Sequence, residues 1–147
     1  MTLHDVRIVH ESIDAPPERV YAYVADPRNL PHWAPNFGHT IVPDGDEWVM
    51  ETADGPYRVR FAPPNDLGVL DHSVRPPAGG EFHNPMRVVA NGTGSVITFT
   101  LFRQEGWADD RFAEDVRMVA ADLAKLKSVL ASHAHEFTGE EAHAPQP

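Results

Sequence analysis

The sequence predicts an α+β fold in which a curved, seven-stranded antiparallel sheet wraps around a long C-terminal helix, with two short helices after the first strand. Three observations predict it. A strand-like run from Val6 to Ile13 leads straight into a helix opened by Pro16-Pro17, and Asp26-Pro27 restarts a second short helix that stops near Trp33. Turn signals then recur evenly, at Asp44-Gly45, Asp54-Gly55, Asn65-Asp66-Leu67-Gly68, Ala78-Gly79-Gly80 and Asn91-Gly92-Thr93-Gly94, and separate short alternating runs that read as six strands. After Gly106 the period changes, and Phe112, Val116, Val119, Leu123, Leu126, Leu130 and His133 fall on one stripe of a helix from about Asp109 to Ser132.

The elements can be justified in order. Proline suits the first helical turn because its missing N–H would have no partner there. A two-residue loop at Asp44-Gly45 sets Ile41 opposite Trp48 and His39 opposite Met50; one at Asp54-Gly55 sets Thr52 opposite Tyr57 and Met50 opposite Val59. Continued along the meander, Val59 lies near His72, His72 near Met86, and Met86 near Phe99. One face then gathers Phe37, His39, Ile41, Trp48, Met50, Thr52, Tyr57, Val59, Phe61, Leu70, His72, Val74, Asn84, Met86, Val88, Ile97, Phe99 and Leu101. On the other face Glu51 meets Arg58 and Asp71 meets Arg87, opposite charges that support the register. The terminal helix is the element long enough to cover the apolar face. Asp109 and Asp110 suit its positive N-terminal end, and Lys125 and Lys127 lie toward its C-terminal half. Residues 136–147 offer nothing for a core and read as a disordered tail beyond a single domain at 1–135.

Composition bounds the function. With 147 residues, 41% hydrophobic and 23% charged, the chain is one globular domain. A net charge of -10 repels nucleic-acid phosphates and otherwise keeps the surface solvated. The absence of cysteine excludes disulfides, thiolate metal sites and cysteine nucleophiles. The opening residues lack a signal-peptide pattern and no run is long enough to cross a bilayer, so the expectation is a cytoplasmic protein without membrane insertion. Nine histidines invite a metal reading, but His133 and His135 are two apart on a helix and share no face, while His10, His39 and His72 lie on different strands with no carboxylate between them. No metal or cofactor is expected.

The run Ile13-Asp14-Ala15-Pro16-Pro17-Glu18-Arg19-Val20, followed by Asp26-Pro27 and Trp33, resembles the START/polyketide-cyclase superfamily of the helix-grip fold over about residues 4–133. Leu70-Asp71-His72, Asn84-Pro85-Met86-Arg87-Val88 and Phe99-Thr100-Leu101-Phe102-Arg103 are similar to an uncharacterised bacterial subgroup of it. The resemblance implies a sheet gripping the last helix and an internal cavity for an apolar or polycyclic molecule. It implies no shared catalytic set, because the superfamily includes lipid carriers, hormone receptors, aromatic cyclases and chaperone activators.

His39, Thr52, Tyr57, His72 and Asn84 interrupt the inward face, joined by His10 where Val6 and Ile8 point inward. A buried polar group needs a partner in protein, water or ligand. His72 stands out because its expected neighbours Val59 and Met86 offer none. It reads as a core histidine bonded to water or Tyr57, as a ligand contact, or as a general acid/base. Asp71 cannot orient it, because adjacent strand residues face opposite ways, which removes an Asp-His dyad, and no inward serine, aspartate or glutamate beside it supports a triad. Trp33, His39, Trp48, Met50, Tyr57, His72, Asn84, Met86 and Phe99 form the expected ligand-binding set, with Trp33 capping the mouth, Tyr57, His72 and Asn84 fixing a polar end, and methionine adapting to apolar shapes. Three functions compete: a monomeric or homodimeric binding protein for a small apolar molecule, a cyclase-, dehydratase- or isomerase-type enzyme using His72, and a protein-interaction module.

Overall fold

The computed structural model describes the backbone of residues 3–143 and the side chains of residues 3–131. The chain runs β1 (Val6–Ile13), α1 (Pro17–Val24), a 3-10 turn (Pro27–Asn29), α2 (Leu30–Trp33), β2 (Thr40–Asp44), β3 (Glu47–Thr52), β4 (Gly55–Phe61), β5 (His72–Arg75), β6 (Phe82–Asn84), β7 (Met86–Asn91), β8 (Gly94–Phe102) and α3 (Asp109–His143). Pro17 opens α1, which buries Val20 and Val24. The Asp26 carboxylate accepts the Arg28 N–H at 3.1 Å and starts the turn into α2, where Leu30 and Trp33 are buried. Two antiparallel sheets follow, ordered β1-β8-β7 and β2-β3-β4-β5-β6. The long helix packs against β1, β8 and α2, and its stripe of Phe112, Leu123, Leu126 and Leu130 is buried.

There are eight strands among the described residues, not the seven expected. The run from Phe82 to Asn91 is split at Pro85, which has no N–H to give a ladder: β6 pairs with β5, and β7 pairs with β8. The sheets stay joined there. Leu70 N–H donates to Met86 O at 2.8 Å, and Val88 N–H donates to Gly68 O at 3.0 Å. Gly68 is required at this approach, since its φ is +72° and an added Cβ would sit 2.1 Å from Val88 O.

The hairpin registers differ from expectation by two residues. Ile41 faces Met50, and Trp48 faces Val59 across β3–β4. An Asp44-Gly45 loop needs positive φ at Asp44, whereas Gly45 takes φ 67° and among the described residues no non-glycine takes positive φ, so the loop is Gly45-Asp46. The next loop is Ala53-Asp54, with Gly55 (φ 110°) opening β4 opposite Thr52. Moving each loop by one residue shifts pairing by two and preserves parity, so the faces survive. Val59 pairs with Val74 and His72 with Asn84, while Met86 pairs with Phe99 as expected. Met50, Val59, Leu70, Val74, Met86, Val88, Ile97, Phe99 and Leu101 are buried.

Two inward placements are corrected. In β1, Val9 pairs with Phe99 and Ile13 with Ser95, so odd-numbered residues share the inner face. Val6 and Ile8 are therefore 45% and 63% exposed, and His10 is exposed with them. His39 is exposed as well, because it lies in the bend before β2, where no pleat fixes its face. The helix α3 also extends past Ser132 to His143. The expected tail at 136–147 thus begins within the helical backbone, and 144–147 lie outside the described residues, as does the side chain of His133.

On the polar face Glu47 replaces Glu51 as the partner of Arg58, a consequence of the register shift. Glu47 accepts two bonds from Arg75 at 2.6 and 2.8 Å and one from Arg58 at 3.3 Å. Arg58 also bonds Asp44 at 2.8 Å, and Arg60 pairs with Asp46. The Asp71–Arg87 pair is present as expected.

Leu126→Ala should cost about 2–5 kcal/mol by urea unfolding, since the side chain is wholly enclosed. The Arg75 bonds, with Arg58 and Arg60, hold the Glu47 carboxyl below its ordinary value. Its contribution is present above that value and disappears as pH falls through the lowered one. Glu47→Gln should therefore lower Tm at pH 7, with the gap to wild type closing in acid.

Candidate functional site

A cavity of about 340 Å³ lies where α2, the strands β3 to β6, β8 and the first half of α3 meet. Leu30, Val74, Phe99, Leu101, Val119 and Leu123 give it apolar walls, and Phe37, Tyr57, Phe82 and Trp107 add aromatic rings. Its exposed lining residues Asn36, Asp54 and Arg111 mark the mouth.

His72 is a buried polar group in the wall. It is 8% exposed, stacked on Phe61 with ring centroids 4.9 Å apart and edge-on to Phe99 at 5.7 Å. Its Nδ1 lies 3.1 Å from Leu70 O. A carbonyl only accepts, so Nδ1 carries the hydrogen and Nε2 presents a lone pair, approached by Asn84 Nδ2 at 3.5 Å. Burial pushes the imidazole pKa down, so it is neutral at pH 7.

The bond to Leu70 O exists because another bond is displaced. The flanking pairs His72–Asn84 and Val69–Arg87 set Leu70 opposite Met86. Leu70 N–H donates to Met86 O, but Met86 N–H turns to Asp71 Oδ1 at 2.8 Å. Leu70 O is left for His72. Asp71, anchored by Arg87 at 3.1 and 3.0 Å, thus positions His72 through a backbone carbonyl, although the two side chains point to opposite faces.

The helix supplies what sequence reasoning missed. Arg111, Asp115, Met118 and Asp122 line the cavity from α3, spaced at helical steps beside the apolar stripe. That spacing was visible; read from sequence, these side chains belong to a solvated face. Arg111 pairs with Asp115 at 3.5 Å and lies over the Trp107 ring at 4.4 Å. Burial raises the Asp115 pKa, with Arg111 opposing it. Burial alone raises that of Asp122, to about 7.

Of the expected set, Trp33, Tyr57, His72, Asn84 and Phe99 line the cavity. The others do not. His39 is exposed and Trp48 is half-buried outside the lining. Met50 and Met86 are enclosed in the core, with Gly38 lying so close over Met50 that an added Cβ would be 2.5 Å from its Cγ. The Trp33 indole N–H is buried without an acceptor among the described residues. Among the described residues no group of three or more His, Asp or Glu could hold a metal ion, and no helix is long and apolar enough to cross a membrane.

The family described as polyketide cyclase / dehydrase and lipid transport matches residues 6–131. No curated protein matches the chain. Among solved structures, DynU16, a protein of the dynemicin biosynthetic locus, is similar with TM-score 0.68 and 19% identity, covering 88% of this chain and 48% of its own. The present chain thus spans about half of DynU16. An uncharacterised protein from Bacillus thuringiensis gives TM-score 0.69 at 15% identity, covering 85% and 98%. The Aha1 dimer from Colwellia psychrerythraea gives 0.68 at 15%, covering 86% and 96%. At these identities the likeness shows the fold alone, and it agrees with the helix-grip expectation.

Nitrogen-15 NMR should find His72 protonated on Nδ1 and bare on Nε2 at pH 7, titrating below the ordinary histidine value. Asp71→Ala lets Met86 N–H return to Leu70 O. It should cost about 1–3 kcal/mol and shift the His72 tautomer balance, which a merely structural aspartate would leave alone.

Proposed function

The chain belongs to the polyketide cyclase / dehydrase and lipid transport family, and from that premise we propose that it binds a small hydrophobic or aromatic molecule, lipid- or polyketide-like, in the cavity beside α3. The cavity itself carries this reading. Its volume, about 340 Å³, lies at the lower end of the ~300–1,000 Å³ usual for ligand sites and favours a compact molecule over a long chain. Apolar walls supply the driving force, and Tyr57, His72 and Asn84 on β4, β5 and β6 offer one polar wall for orientation. The reading places this binding in the cytoplasm, in a monomer or homodimer, without nucleic acid or a resident cofactor.

A second reading has its own support. A neutral imidazole with its N–H fixed and its Nε2 lone pair on a ligand cavity is suited to accept a proton, so a cyclase, dehydratase or isomerase reaction with His72 as general base is the alternative.

Native mass spectrometry of the freshly purified protein, with identification of any co-purifying small molecule, tests both. A bound apolar mass supports the proposal, and Val119→Trp, which fills the cavity from α3, should abolish it with the fold intact. With that molecule in hand, His72→Ala should weaken binding about tenfold in a carrier, but lower turnover by about two or more orders of magnitude in an enzyme. A protein that co-purifies empty and ignores a panel of apolar compounds is instead an interaction module.

A further inference from the structure

Among the described residues, the cavity wall holds a half-buried carboxyl without a partner. Asp122 lines the cavity from α3 and forms no hydrogen bond or ion pair among the described residues, and burial is what displaces its protonation. A carboxyl placed against an apolar wall with no partner costs stability when ionised. The other charged and titratable groups around the cavity do not relieve it. Arg111 is held at the mouth by Asp115 and Trp107. Tyr57 on β4 and His72 on β5 face the cavity without charge, with Tyr57 pushed up and His72 pushed down by burial. Asp54 in the β3–β4 turn adds negative charge at the mouth. His32 on α2 and Lys125 on α3 are exposed and do not line it.

The hydrogen-bonding inventory points the same way. The Nδ1–H of His72 is committed to Leu70 O, so the imidazole offers the cavity an acceptor, met within the protein only by the 3.5 Å approach of Asn84. The rings of Trp33, Phe37, Tyr57, Phe82, Phe99 and Trp107 line the same space, and a desolvated cation is attracted to the face of such a ring. The chain as a whole carries -10, which draws cations toward it.

Resting on the binding function proposed above, we infer that the ligand is an apolar amine, an organic cation whose ammonium group pairs with Asp122 while its rings fill the apolar end. The ammonium supplies the counter-charge the wall lacks, and the His72 lone pair accepts a second N–H.

Isothermal titration with a matched pair, 2-naphthylmethylamine and 2-naphthylmethanol, tests this. At pH 8 the amine should bind at least tenfold more tightly than the alcohol. Asp122 titrates near pH 7, and a bound cation favours its ionised form. The amine should therefore bind about tenfold more weakly at pH 6 than at pH 8 and release about one proton at pH 6, read from enthalpies in buffers of different ionisation heat. The alcohol should show neither effect. Asp122→Asn should erase the preference for the amine while retaining the alcohol. If the alcohol binds as tightly as the amine to the wild type, or no proton is released, the inference falls and the binding function stands. If neither probe binds at either pH, the inference falls, and the binding function is decided separately by whether a small molecule co-purifies.

Discussion

Pro85 removes one backbone donor from the middle of a strand-length run, and the surrounding bonds are arranged around that loss. Because the proline cannot continue the ladder, β6 stays with β5 and β7 joins β8, so one stretch of chain serves both sheets. Pro85 still contributes its carbonyl, which accepts Thr100 N–H at 2.9 Å. The next amide, Met86 N–H, goes to the Asp71 carboxylate rather than to Leu70 O, and that exchange leaves Leu70 O for the imidazole of His72. The division between the sheets goes with Pro85, while the tautomer of the histidine in the cavity wall follows from the next amide being taken by Asp71. An accounting of where each backbone donor goes is enough to connect them.

The parts of this arrangement that depend on parity and period were legible in the sequence. Alternation placed Met50, Val59, Leu70, Val74, Met86, Val88 and Phe99 on one face, and the burial of all seven agrees. This held although the hairpin loops sat one residue away from their expected places, since an error of two in register leaves a face intact. The helix stripe was legible for the same reason. Features that depend on a single residue's backbone were not. Whether Gly45 is the first or second residue of its turn is decided by φ at its neighbours, and Pro85 could be seen in the sequence without its consequence for the sheet. The face of β1 was set by its pairing with β8, which no local pattern in Val6–Ile13 reveals.

The site was legible in part, and the division has a physical cause. Tyr57, His72 and Asn84 were conspicuous because a polar side chain on an apolar face contradicts its surroundings. Asp115 and Asp122 contradict nothing when read along α3, since aspartates on a long helix ordinarily face solvent. Only the position of the sheet edge and α2 turns that side of the helix into a wall. Charge on an amphipathic helix therefore takes its meaning from whatever packs beside it.

That helix divides its labour by face. Phe112, Val116, Val119, Leu123, Leu126 and Leu130 bear on packing, whereas Arg111, Asp115, Met118 and Asp122 border the cavity and take little part in the core. Those four positions can be exchanged by single substitutions without touching the stripe that anchors the helix, although Val119 and Leu123 of the stripe also wall the cavity. A lineage carrying this fold can thus drift from one ligand chemistry to another by small steps, while the packing residues stay under a separate and stricter selection.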